Sequence, residues 1–157
     1  MPISDLSGSR AVLLDTHIWV WASGNSGGPS RFAASLAPAI EAAAIQRRLF
    51  VSVASVWEIA LKAQRGTLLL SGDLRAWIRE QRSKGGVQVL PITSSIAIES
   101  TTLPLWLRRK DGKEHKDPND RLLVATARRQ GAVLVTCDEL ILEYAQQGHL
   151  LACDGRL

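Results

Sequence analysis

Two short apolar runs that each end in an acid constrain this chain more than any other feature. "AVLLD" closes on Asp15, and "AVLVTCD" closes on Asp138. Neither run alternates polar with apolar residues, so each reads as a strand buried on both faces, as in a parallel sheet covered by helices. "LFVSVA" and "VQVLPI" have the same character. Helix-like segments lie between and after these runs. They are "RFAASLAPAIEAAAIQRR", with Pro38 marking a kink or break, and a segment that turns helical after Ser55 and stops at Gly66. Next come "GDLRAWIREQRSKGG", with Leu74, Trp77 and Ile78 on one face, "TSSIAIESTTL", "DPNDRLLVATARRQG" and "ELILEYAQQG". This alternation predicts an α/β layered fold around a mainly parallel sheet. "SGNSGGPS" at 23–30 reads as a loop, and "PLWLRRKDGKEHK" as an irregular basic segment.

At 157 residues the chain has room for one domain, with a core from about 11 to 152. No apolar run approaches the length of a membrane span. The opening "MPISDLSGSR" lacks a basic region followed by an apolar one, so the expected location is the cytoplasm. Cys137 and Cys153 are too few and too far apart for a CxxC zinc site, and they read as small hydrophobes.

Net charge is +4, and the bases cluster at Arg108, Arg109, Lys110, Lys113 and Lys116, then at Arg121, Arg128 and Arg129. Such a field either attracts a polyanion or is a solvated face. The acids are more informative. In parallel sheets, sites form outside the carboxyl ends of the strands. Asp15 and Asp138 follow strands directly, Glu58 is expected in the first turn of the helix after "LFVSVA", and Asp117 and Asp120 open the "RLLVATA" helix. Separate chain segments thus deliver carboxylates to one rim.

Each acid also has a local reading. Glu58 closes a capping box with Ser55, Asp117 with Pro118 forms a helix start that has Asp120 in its first turn, and Asp15 and Asp138 fit as N-caps. Converging carboxylates repel one another unless a cation compensates, and oxygen ligands suit a hard ion such as Mg²⁺ or Mn²⁺. An ion of that kind activates a phosphodiester towards water, so the acids and the basic rim together fit nuclease chemistry.

"LLDTHIWVW", "SVASVWEIALK", "HKDPNDRLLVATA" and "VLVTCDELI", in this order, resemble the PIN-domain ribonucleases of the VapC type, toxins of bacterial toxin–antitoxin pairs. The resemblance implies a three-layer α/β/α fold and a metal-dependent endoribonuclease that cleaves structured RNA with Mg²⁺ or Mn²⁺. It also implies a VapB-type antitoxin and a homodimer. It assigns Asp15, Glu58, Asp120 and Asp138 as catalytic and metal-binding residues, with Thr16 and Thr136 as supporting hydroxyls. Asp117 has no counterpart in the barest family pattern and reads as a helix cap first, with support of the metal site through water second. His17 stands where many relatives have asparagine or serine and is not assigned as a ligand.

Other residues receive weaker assignments. The five tryptophans fit core or dimer packing better than base stacking. His115 and His149 are expected as isolated loop histidines, and Arg121 is left between substrate phosphate, antitoxin carboxylate and solvent. Two other functions fit the acids. One is a receiver-like Mg²⁺-binding signalling domain, though that needs paired acids after the first strand and a lysine where "VTCDEL" has Asp138. The other is a PIN scaffold that binds RNA or protein without cutting.

Overall fold

The computed structural model describes Leu6 and residues 8–24, 33–70 and 72–156. Five strands form one sheet: β1 (Val12–Leu14), β2 (Leu49–Ser52), β3 (Gln88–Leu90), β4 (Val133–Thr136) and β5 (Leu151–Asp154). Their spatial order is β3-β2-β1-β4-β5, and every pairing is parallel. Seven α-helices fill the connections among the described residues: α1 (Thr16–Ala22), α2 (Ala37–Ile45), α3 (Val53–Gln64), α4 (Leu74–Ser83), α5 (Ser94–Thr101), α6 (Pro118–Gln130) and α7 (Glu139–Gln146).

The period of two along each strand makes the three layers. Val12, Leu14, Val133, Val135 and Cys153 enter one core with Ile18 and Trp19 of α1, Ile40 of α2, Ile59 of α3 and Trp77 of α4. Leu13, Leu134 and Ala152, the intervening residues, enter the other with Ile96 of α5, Leu123 to Ala125 of α6, and Ile141 and Tyr144 of α7. Both faces of the sheet are therefore apolar, which is why its strands read as continuous apolar runs.

From β1 the chain moves one way to β2 and β3, then returns to place β4 and β5 on the other side. The switch lies between β1 and β4, which pair in register from Val12↔Val133 to Leu14↔Val135. A crevice forms outside the carboxyl ends of two strands at such a point. The backbone N–H of Asp15 donates to Val135 O at 3.0 Å, so the pairing carries on to the first acid.

Several expectations change. Pro38 does not interrupt a helix: a 3₁₀ turn at Ala34–Leu36 leads into α2, and Pro38 sits in its first turn, where its missing N–H costs nothing. The helix expected after Ser55 begins at Val53, because the Ser52 hydroxyl caps it by accepting from Ala54 N–H. Ser55 is therefore not a cap, and Glu58 lies in the second turn instead of the first. β5 was not anticipated at all. The basic segment is more ordered than expected: Leu107 bridges Glu114, and Gly112, at φ +65°, turns the chain back between them. The loop expected at 23–30 lies, beyond Gly24, outside the described residues.

Candidate active site

Asp15 is the first residue past β1 and the N-cap of α1, yet its carboxylate makes none of the capping hydrogen bonds to that helix. Instead Asp15 Oδ2 accepts from the Thr136 hydroxyl at 2.6 Å, across the β1–β4 switch point. The cap readings of Asp117 and Asp138 hold where this one does not. Asp117 Oδ1 accepts from the N–H groups of Asn119 and Asp120 at 2.9 and 3.2 Å, and Asp138 Oδ1 accepts from those of Leu140 and Ile141 at 2.8 and 3.2 Å. Thr136 joins the centre together, because its Oγ1 also accepts from Asp138 N–H at 3.0 Å.

Glu58 arrives from α3 and meets α1. The Thr16 hydroxyl donates to Glu58 Oε2 at 2.8 Å and lies 2.9 Å from Ser55 Oγ, which is left to donate in turn. Lys62, one turn further along α3, places its ammonium 2.6 Å from Glu58 Oε1 and 3.2 Å from His17 Nε2. An ammonium can only donate, so His17 Nε2 accepts and its ring proton sits on Nδ1. Both oxygens of Glu58 are thus engaged by neighbouring side chains.

Asp120 lies in the first turn of α6, aimed by the Asp117 cap. Its Oδ2 is 2.7 Å from His115 Nε2. His115 is buried, not an exposed loop residue, and packs against Trp106 with ring centroids 4.5 Å apart, while Trp106 stacks on Tyr144 at 4.4 Å. His149 is not isolated either, packing against Tyr144 at 4.5 Å. Arg121 is largely enclosed and not directed into solvent: it donates to the carbonyls of Ser100 and His115 at 2.7 and 2.9 Å and so ties the His115 loop to α5.

Burial is the largest cause of the shifts at Asp15 and Asp120. It pushes the Asp15 carboxyl above its ordinary value, the negative charge of Glu58 adds to this, and the Thr136 hydrogen bond opposes it. Asp120 is pushed up to about 6 by burial and by the charges of Asp117 and Asp138, with His115 opposing. Asp15 therefore senses Glu58, and Asp120 senses Asp138. Among the described residues, no three histidine, cysteine, aspartate or glutamate side chains stand close enough to hold one ion together. Thr136 joins Asp15 and Asp138, while Glu58 is held by Thr16 and Lys62 and Asp120 by His115, so the acids do not form a closed cage. Oxygen donors whose charge is destabilised by burial nevertheless suit a hard cation, which carries water ligands and needs only one or two carboxylates.

Asp15 and Asp138 open into a cleft of about 650 Å³ whose walls include His17, Trp21, Arg109, Lys110, Cys137 and Arg156. Glu58 and Asp120 lie outside this lining. The basic field is divided: Arg109 and Lys110 reach the cleft, Arg108 pairs with Asp111, and Arg128 and Arg129 pair with Glu99. That last group lines a larger cavity, about 970 Å³, touched by none of the four predicted acids. Trp19, Trp77 and Trp106 are core residues as expected, Trp21 lines the cleft and Trp57 is 55% exposed. Cys153 is buried, Cys137 is half-buried, and neither forms a disulfide among the described residues.

Sequence reasoning missed Lys62, His115 and Arg156. Glu58 and Lys62 stand four apart with the acid first, the favourable order on a helix, so that pair was visible. Nothing local marks His115 as buried. Arg156 reaches the cleft only because β5 brings the chain end there, where it engages Asp154 and Glu139.

The family model described as "PIN domain" matches residues 12–146. Ribonuclease VapC22 of Mycobacterium tuberculosis is 32% identical over 127 residues, 81% of this chain and 86% of that protein. In fold, the chain is similar to DNA-bound VapBC from Salmonella typhimurium, with a TM-score of 0.62 at 18% identity over 92% of this chain and 98% of that one. It is similar to VapBC2 from Rickettsia felis bound to a promoter DNA fragment, with a TM-score of 0.63 at 17% identity and the same coverage.

Proposed function

Because this chain belongs to the PIN-domain family, we propose that it is a metal-dependent endoribonuclease, the toxin of a type II toxin–antitoxin pair acting on structured RNA in the cytoplasm. The observation that carries this reading is Asp15. A residue ideally placed to cap α1 leaves that helix uncapped and is held by Thr136 at the sheet's switch point, beside Asp138. A carboxylate kept buried against its own preference is the mark of a functional site. The receiver-like alternative is disfavoured by topology as well, since that fold orders its strands 2-1-3-4-5, whereas this sheet runs β3-β2-β1-β4-β5.

Asp15, Glu58, Asp120 and Asp138 form the carboxylate group that would hold Mg²⁺ or Mn²⁺. When bound, that ion supplies positive charge to the scissile phosphate and acidifies a water. Arg109, Lys110 and Arg156 give the cleft a cationic wall for the RNA backbone. Asp120, hydrogen-bonded to His115 in the first turn of α6, would take the proton of the attacking water. Water then adds to phosphorus, the phosphodiester P–O bond breaks and the leaving oxygen takes up a proton. Protein partners are supported by exposed apolar side chains, among them Val53 and Trp57, one turn apart on α3. A VapB-type antitoxin and a second copy of the chain are the partners proposed.

The test is RNA cleavage by purified protein with Mg²⁺, with chelator, and by Asp15→Asn. Cleavage should require the ion and vanish in the variant while its circular dichroism is unchanged. A folded Asp15→Asn protein that cuts at the wild-type rate would sink the proposal.

A further inference from the structure

Helix α1 carries three aromatic rings on two faces. Trp19 is buried against Trp77, with ring centroids 4.8 Å apart, and its indole N–H donates to Gln81 at 3.3 Å. His17 and Trp21, four positions apart and so on one face, turn instead to the cleft that holds Asp15 and Asp138. Their ring centroids are 6.0 Å apart. Both rings are supported: Trp21 is half-buried and packs against the core behind it, and the Lys62 ammonium lies 3.2 Å from His17 Nε2. Trp21 follows Asp15 by six residues, about 9 Å along the helix axis, and side chains tilt towards the helix start. Arg109 and Lys110 line the same cleft and make no ion pair among the described residues, whereas Arg156 is engaged by Asp154 and Glu139. Unpaired cations suit phosphates and a supported aromatic face suits a base, and the combination fits a single strand.

We infer that Trp21 is a specificity-determining residue: with His17 beside it, its ring stacks on an unpaired base of the RNA close to the scissile phosphate, while Arg109 and Lys110 hold the backbone. This inference rests on the function proposed above and deepens it, because it requires an unpaired nucleotide beside the cut. A base inside a duplex has both faces covered by its neighbours, so the ring discriminates against helical stems. The cations alone do not, since stem and loop carry the same phosphates.

The test is binding of two fluorescein-labelled strands, a 12-nucleotide oligoadenylate and an abasic strand of equal length, read by fluorescence anisotropy. Full-length Asp15→Asn protein with Mg²⁺ is the parent, which keeps the strands whole, and circular dichroism reports folding. The parent should bind oligoadenylate about tenfold more tightly than the abasic strand, as one stacked base contributes. Adding Trp21→Ala should remove that preference and leave binding of the abasic strand within about twofold, and adding Trp21→Phe should keep most of the preference. Trp21→Leu retains an apolar side chain against the core and should lose the preference too, so it decides the matter if the alanine variant fails to fold. Arg109→Ala/Lys110→Ala should weaken both strands alike and lower the salt slope by about one. Folded Trp21 variants that weaken both strands equally would make the ring merely structural and overturn the inference. Variants that bind both strands as the parent does also overturn it, leaving the ring to a protein partner and the nuclease reading intact. A parent that binds neither strand overturns the RNA reading itself and this inference with it.

Discussion

The Thr136 hydroxyl donates to Asp15 Oδ2 at 2.6 Å, joining two residues 121 positions apart through the ends of adjacent parallel strands. The same oxygen accepts from Asp138 N–H, so one hydroxyl sets the position of two acids. Thr136→Val keeps the shape and removes the donor. RNA cleavage should fall about 10- to 100-fold, the usual cost of losing a group that orients a ligand, and Thr136→Ser should restore most of it. Equal losses in both variants would show that the methyl group, not the hydroxyl, matters.

Asp117 and Asp120 divide the start of α6 between stability and chemistry. Asp117→Ala should cost ~1 kcal/mol in urea denaturation, the ordinary value of a cap, while leaving most of the cleavage rate. Asp120→Asn should do the reverse. A stable Asp117→Ala protein as inactive as Asp120→Asn would mean that the roles are wrongly assigned.

His115 holds Asp120 from a buried position against Trp106. His115→Phe retains a ring for that packing and deletes the hydrogen bond. Cleavage should drop about tenfold or more with little change in melting temperature. His115→Ala, which also empties the packed space, should lose stability too. If His115→Phe cleaves normally, Asp120 needs no support from the ring nitrogen.

Burial raises the carboxyls of Asp15 and Asp120, the latter to about 6. A raised carboxyl binds protons more tightly in the folded chain, so its stabilising contribution is complete below the unfolded value and lost as pH rises through the folded one. In chelator, the melting temperature of wild type relative to Asp120→Asn should therefore fall as pH climbs from 3.8 to about 6. Adding Mg²⁺ at neutral pH should recover the loss, since a bound cation favours the ionised acids. A wild-type minus variant difference that stays flat over that interval would contradict the assigned shift.

The local chemistry of the chain determined more of this protein than its length suggests. Apolar runs such as "AVLVT" are legible as doubly buried strands because side chains alternate faces along a strand. Asp117 followed by Pro118 is legible as a cap because capping acts over two or three residues. The positions of Asp15 and Asp138 at strand ends were readable for the same reason. Even Glu58 with Lys62 lay within one helical turn.

What only the tertiary structure decided involves contacts between distant segments. Asp15 and Asp138 are equally good caps in the sequence, and only the β1–β4 pairing diverts the first to Thr136 while the second caps α7. The burial of His115 depends on Trp106 and on the carbonyls that Arg121 grips, none of which a window of a few residues contains. Arg156 reaches the cleft through a strand too short to announce itself. A residue's neighbours along a helix or strand are set by its own backbone geometry, but the partner of a buried charge is set by sheet order. Here that order placed the switch point between β1 and β4 beside Asp15 and Asp138.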